Sequence, residues 1–249
     1  MAEPPFAGIP FSIDDSAAAL MHRLREVVRD FPDRIALART GQPLTYAALD
    51  SLTRHLAASL QHIAPAPGAH IGILLSDALD AAAAFLAILR AGHVAIPLDP
   101  DWPPPRIVTA IRELRVSAII GAKPPVIDIP CVPFPSDPAP FTPPSEPSIT
   151  SDHPACIFFT SGSTGEARGV VLSHRCLLFT ARHYIANLEA APGDRIAWTS
   201  PITAGAALLP MLTALCSGAS LHRFDVRREG VAGLRAWLDE ERISIWSTI

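Results

Sequence analysis

Lysine is nearly missing from this chain: of its 20 basic residues, 19 are arginine and one, Lys123, is lysine. Long apolar runs are missing as well, although 49% of the residues are hydrophobic and the mean hydropathy is +0.28. The longest strictly apolar stretch, residues 81–89, is about half as long as a bilayer-spanning helix, so no membrane span is expected. No basic residue precedes Arg23, which leaves the start without the charged region of a secretory signal. Cysteine is sparse: Cys131, Cys156, Cys176 and Cys216 stand apart with no C-x-x-C, the pattern expected of a thiol-reduced, cytoplasmic protein. A basic excess is lacking too. A net charge of -4 and a pI of about 6.1 argue against a broad cationic surface, so no nucleic-acid partner is expected. H-E-x-x-H and G-x-S-x-G do not occur, and His93, His153, His183 and His222 show no metal-ligand spacing, so no metal-binding residue is assigned.

What abounds is small residues, 40 Ala, 26 Pro and 14 Gly, within a composition that supplies ample material for a buried core. Apolar residues recur at helical spacing over 17–28, 46–63, 78–90, 107–114, 177–188 and 231–238. Strand-length apolar runs lie between these at 35–38, 71–75, 118–120, 157–160, 170–172 and 196–199. Thr45 is placed to cap a helix beginning at Tyr46, and Asp77 one beginning at Ala78; Pro103 to Pro105 mark the mouth of the next. The alternation predicts an α/β fold with a largely parallel sheet. It breaks at 123–150, where ten of the 26 prolines fall between Lys123 and Ser148. That stretch reads as an extended strap. It divides the chain into a lead-in helix region (1–30), a first α/β segment (31–122), the strap (123–150) and a second α/β segment (151–249). Trp198, Trp237 and Trp246 sit on strand or helix patterns and are expected in the core.

The chemistry concentrates in one loop. After Ile157-Phe158-Phe159 comes Thr160-Ser161-Gly162-Ser163-Thr164-Gly165-Glu166-Ala167-Arg168-Gly169, and then Val170-Val171-Leu172. Glycines let backbone N–H groups turn toward an anion, hydroxyls add donors, and a guanidinium grips phosphate oxygens in bidentate fashion. This composition suits a polyphosphate cradle. It is not the G-x-x-x-x-G-K-[ST] loop that runs into a helix, because β-formers follow and the cradle must join two strands. A ligand-free Ser/Gly hairpin is the alternative on loop chemistry alone.

At these residues the sequence resembles the adenylate-forming ligases: acyl-CoA synthetases, luciferases and the adenylation domains of nonribosomal peptide synthetases. The resemblance runs from about residue 31 to the last residue. Phe31-Pro32-Asp33-Arg34-Ile35-Ala36-Leu37 and Leu44-Thr45-Tyr46-Ala47-Ala48-Leu49-Asp50 are similar to the family's opening segment. The run Leu89 to Pro100 is similar to its helix-to-strand turn, and Pro103 to Arg106 carry a Pro-x-x-Arg typical of the peptide-synthetase branch. The resemblance implies the N-terminal core of that fold, layered mostly parallel sheets flanked by helices. It also implies activation of a carboxylic acid with ATP and Mg²⁺ to an acyl-adenylate, release of pyrophosphate, and transfer to a carrier-protein or CoA thiol. By the same resemblance Thr160, Ser161, Gly162, Ser163, Thr164, Gly165 and Arg168 face the ATP phosphates. Ala167-Arg168 stand where the family usually has Pro-Lys.

Ser200 to Leu209 match, without gaps, the segment in which amino-acid-activating members carry Phe-Asp, the aspartate pairing with the substrate's α-ammonium. Here those positions are Ala204 and Gly205. Ala204, Gly205 and Leu209 are therefore the candidate acyl-pocket residues, for a substrate without an ordinary α-amino group, such as a fatty, aryl or hydroxy acid. A small-residue helix start packed in the core is the plainer alternative. His174 falls where the family often has Ser/Thr-His before a helix, with a capping or packing role weighed against direct catalysis. The family's catalytic lysine lies on a later domain, which the resemblance places beyond residue 249. The chain is thus expected to be the N-terminal part of such a ligase, inactive by itself. A degenerate, non-catalytic nucleotide-binding or scaffold remnant stays open beside it.

Overall fold

The computed structural model describes residues 18–39, 41–124, 127–135, 147–161 and 167–246. The larger of its two sheets collects β3 (His70–Leu74), β4 (Val94–Pro97), β5 (Ala118–Gly121), β6 (Cys131–Val132), β7 (Pro154–Ser161) and β8 (Ala167–Ser173) in the order β6-β5-β3-β4-β7-β8. All its pairings are parallel except β7 with β8. The smaller sheet has the order β2-β1-β10-β9, from β1 (Ile35–Leu37), β2 (Leu44–Thr45), β9 (Arg195–Trp198) and β10 (Ser220–Arg223). Only β2 runs antiparallel there, and a single parallel bridge from Ile245 to Ile196 adds to the β9 side. Each sheet draws strands from both sides of the Pro-rich stretch.

Helices fill the space between. α2 (Tyr46–Ile63) and α3 (Ala78–Arg90) start where their caps predict: Thr45 Oγ1 accepts from Ala48 N at 3.2 Å, and Asp77 Oδ1 from Asp80 N at 2.9 Å. The longest apolar run of the sequence is the body of α3. Every α3 residue from Ala81 to Arg90 is buried, because the helix packs on β3 and β4 of one sheet and on β10 of the other. Its one strongly polar buried group is matched: Arg90 Nη2 donates to Asp50 Oδ1 at 2.6 Å, and Arg54 Nε donates to Asp50 Oδ2 at 2.7 Å. The Tyr46 hydroxyl, fully buried at the start of α2, lies 3.0 Å from Ala214 O and 2.7 Å from Ala219 O. It thereby ties the opening segment to α6 (Leu208–Ser217) and to the turn that leads into β10. α1 (Ala18–Asp30) docks on the same helix, with Arg23 Nε donating to Cys216 O at 2.8 Å.

α6 ends at Gly218, whose φ of +86° makes a left-handed cap; a Cβ there would also meet the Phe31 ring at 2.9 Å. α5 (His174–Leu188) packs against α6, while α4 (Pro104–Glu113) covers the outer face of the larger sheet through Ile107, Ala110 and Ile111. Two short helices, α7 (Val226–Glu229) and α8 (Leu234–Glu240), follow β10. Trp198 is fully buried as expected. Trp237 is only half-buried, tilted against Phe224 with ring centroids 5.2 Å apart, and Trp246 is exposed, so these two depart from the core expectation. Both follow the last full strand, where no second layer covers them among the described residues.

Candidate phosphate loop and acyl cavity

The loop leaves the sheet as a hairpin. In β7, Ala155 to Phe158 are buried, and Cys156 pairs with Ala95 of the neighbouring β4. β7 and β8 then run antiparallel up to the pairs Thr160↔Arg168 and Ser161↔Ala167. The candidate loop joins two strands, and the backbones of Thr160, Ser161 and Arg168 stand at its mouth. Gly162, Ser163, Thr164 and Gly165 lie outside the described residues. A hairpin rooted in a sheet, with its tip built from glycines and hydroxyls, can turn successive N–H groups toward one anion.

The foot of this hairpin carries a contact that sequence reasoning missed. The Arg106 guanidinium lies over the Trp102 ring, 4.2 Å from its centroid, and Trp102 meets Phe159 edge-on at 5.9 Å. The Pro-x-x-Arg motif thus braces the strand that delivers the loop. The available signal was the aromatic immediately before that motif.

His174 opens α5 directly after β8, but Ser173 is the cap: its Oγ accepts from Cys176 N at 3.3 Å. The His174 side chain is 2% exposed and neither ring nitrogen has a hydrogen-bond partner. Burial, with a smaller contribution from His153, pushes it down to about 4, so it is neutral at pH 7. Its role in the fold is packing. Lys123 follows β5 and donates to Asp128 Oδ1 at 2.7 Å on the exposed surface.

The acyl-pocket candidates lie at the other sheet. Beyond β9 the chain passes through Ser200 to Ala204, makes a 3₁₀ turn at Gly205–Ala207, and enters α6. A cavity of about 560 Å³ opens between this turn and the α7–α8 region. Leu209 and Ala206 line it; Gly205 and Ala204 occupy the turn one and two residues earlier. A second cavity of about 290 Å³ lies next to it, sharing Pro201 and Arg227, and it is rich in carboxylates. No group of three or more His, Cys, Asp or Glu able to hold a metal occurs among the described residues. No described helix is long and apolar enough to cross a membrane.

Residues 24–249 match the AMP-binding enzyme family. The chain belongs to that family. It is 32% identical over 244 residues to syringomycin synthase SyrB1 of Pseudomonas syringae pv. syringae, an alignment covering 92% of this chain and 39% of that protein. It is 29% identical over 222 residues to bacitracin synthase 1 of Bacillus licheniformis, covering 89% of this chain and 4% of the synthase. The chain therefore spans well under half the length of these relatives. Among solved structures, the Klebsiella oxytoca NpsA N-terminal subdomain superposes with a TM-score of 0.81 at 22% identity, over 90% of this chain and 59% of that one. The nonribosomal peptide synthetase FmoA3, bound to α-methyl-L-serine-AMP, superposes with a TM-score of 0.84 at 22% identity, over 98% of this chain and 27% of that one. The fold is the N-terminal portion of an adenylation domain, mixed α/β with mostly parallel sheets.

Proposed function

We propose that this chain supplies the ATP-phosphate cradle and part of the acyl pocket of an AMP-forming ligase. The reaction joins a carboxylic acid to the α-phosphorus of ATP, releases pyrophosphate, and passes the acyl group to a carrier-protein or CoA thiol. The observation that carries this reading is the β7–β8 hairpin, whose strands pair up to Ser161 and Ala167 and whose connection holds the glycines and hydroxyls. Negative charge grows on the departing pyrophosphate as the carboxylate attacks. Donors from Thr160, Ser161, Gly162, Ser163, Thr164 and Gly165, together with the Arg168 guanidinium, stabilise that charge more in the transition state than in the ground state. Mg²⁺ suits such a site because it binds chiefly through phosphate oxygens and needs few protein ligands; when bound, it neutralises charge on the β- and γ-phosphates. Leu209 walls the cavity proposed to take the acid, and Ala204 and Gly205 lie in the turn beside it. Four free cysteines agree with a reducing, cytoplasmic setting.

The test is ATP binding by this chain and ATP–pyrophosphate exchange by the longest reading frame that contains it. Arg168→Ala with Thr164→Ala is expected to weaken ATP binding at least tenfold and to lower exchange by about two to three orders of magnitude. Unchanged ATP affinity in the double variant would remove the cradle assignment. The departures at Ala167-Arg168 and Ala204-Gly205 favour a second reading, a nucleotide-binding remnant without chemistry. ATP binding without exchange in the full reading frame would decide for it.

A further inference from the structure

Three parallel strands of the larger sheet, β3, β4 and β5, end beside a cavity separate from the one at the turn into α6. The chain leaves β3 for α3 on the face toward the smaller sheet, whereas it leaves β4 for α4 on the opposite face. Connections that part in this way open a crevice outside the carboxyl ends of the strands, the place where open α/β sheets take ligands. The crevice here encloses about 300 Å³, and its walls are Leu74, Pro100, Trp102, Pro104, Ile107 and Pro124. None of these residues lines the cavity of about 560 Å³.

We propose that this crevice binds one uncharged aromatic ring, single or fused, and that the bound ring stiffens the root of the β7–β8 hairpin. Its volume stands at the lower end of small-molecule sites, which suits a ring and not a larger ligand. Three prolines and an indole are rigid walls, so little side-chain freedom is lost when a ligand seats against them. Trp102 gives an aromatic ring edge or face contacts that an aliphatic ring of equal bulk lacks. Charge on the ligand is not called for: the one ammonium at the rim, Lys123, already donates to Asp128 Oδ1 at 2.7 Å, and no carboxylate lines the crevice. The link to the hairpin is Trp102 itself, which lines the crevice, carries the Arg106 guanidinium over its ring and meets Phe159 edge-on. A ligand seated against Trp102 narrows the motion of that indole, and with it the motion of Phe159.

The experiment is a fluorine NMR titration of 5-fluoroindole into the purified chain and into its Leu209→Trp variant, in which the larger cavity is filled. Submillimolar binding is expected in both. Ala122 is exposed at the rim, so Ala122→Phe should fold normally and fill the crevice; it is expected to weaken binding at least tenfold. Pro104→Phe, exposed at the start of α4, fills it from the other side with the same expectation. 5-Fluoroindole-3-acetate should bind within threefold of the neutral ring, Lys123→Gln should alter neither, and benzyl alcohol should compete at least threefold better than cyclohexylmethanol. Amide hydrogen exchange over residues 155–161 should slow at least twofold at saturating 5-fluoroindole, and not in Ala122→Phe. Absence of binding, binding lost in Leu209→Trp and kept in both crevice variants, a tenfold preference for the acid, or hairpin exchange indifferent to the ligand would each overturn the inference. No arm contains ATP, so the result stands apart from the phosphate-loop assignment.

Discussion

The indole of Trp102 meets the ring of Phe159 edge-on, centroids 5.9 Å apart and planes inclined at 74°. Phe159 is the last residue before the hydroxyls of the proposed phosphate loop, so this contact braces the end of β7. Trp102→Ala is expected to lower unfolding free energy by about 2 kcal/mol, less than a fully buried aromatic because the ring is half-buried. It should also weaken ATP binding several-fold although Trp102 lies outside the loop. Trp102→Phe keeps the edge contact and should lose little of either. Denaturant unfolding and ATP titration on the same samples check this.

Asp50 holds two arginines from two helices, one of them, Arg90, buried at 3% exposure. Asp50→Ala removes the carboxylate that lies 2.6 Å from that buried guanidinium and is expected to cost about 3–5 kcal/mol. Arg54→Ala removes only the partly exposed arm and should cost under about 1 kcal/mol. Chemical denaturation of the two variants separates these outcomes.

His174 gives the chain an acid limit. Its folded pKa is about 4, below the unfolded value of about 6.5, so the unfolded state binds the proton first. Stability is full above pH 6.5 and falls as pH drops from there toward 4, by up to about 3 kcal/mol from this group. His222 adds in the same direction, since burial, helped by Arg195, lowers it despite its contact with Glu241. His174→Leu, which removes nitrogens that have no partner, should flatten that acid limb. A pH series of thermal melts reads it out.

The cysteines should sort by burial. Burial pushes the Cys216 thiol up to about 12 and moves Cys156 in the same direction, while Cys176 is exposed. Iodoacetamide at pH 8 is expected to label Cys176 quickly and to leave Cys156 and Cys216 unmodified until the chain unfolds. Peptide mass spectrometry before and after denaturant shows which thiols react.

Local signals carried much of this architecture. α2 and α3 begin at the residues that Thr45 and Asp77 dictate, because a capping oxygen and an apolar period act within four residues. The hairpin was legible because valines after the loop cannot be read as the start of a helix. α6 was only partly legible: Leu208 to Ser217 are buried almost throughout, so no polar face marks a period. The two-residue β2 and β6 are too short for any alternation to show. In the candidate site, glycines and hydroxyls pointed to a phosphate loop, but the Trp102 brace and the Arg227–Asp99 ion pair come from contacts across 57 and 128 residues. No window along the chain contains both partners.

The smaller sheet has a consequence for how the protein is made. Leu37 of β1 pairs with Leu221 of β10, 184 residues later. At roughly 5–20 residues per second, a ribosome needs about 10–40 s to supply that partner. Until then β1 and the buried face of α3 have nothing on one side. A nascent chain must therefore be shielded for that interval, and slowing translation after β1 should raise its demand for chaperones.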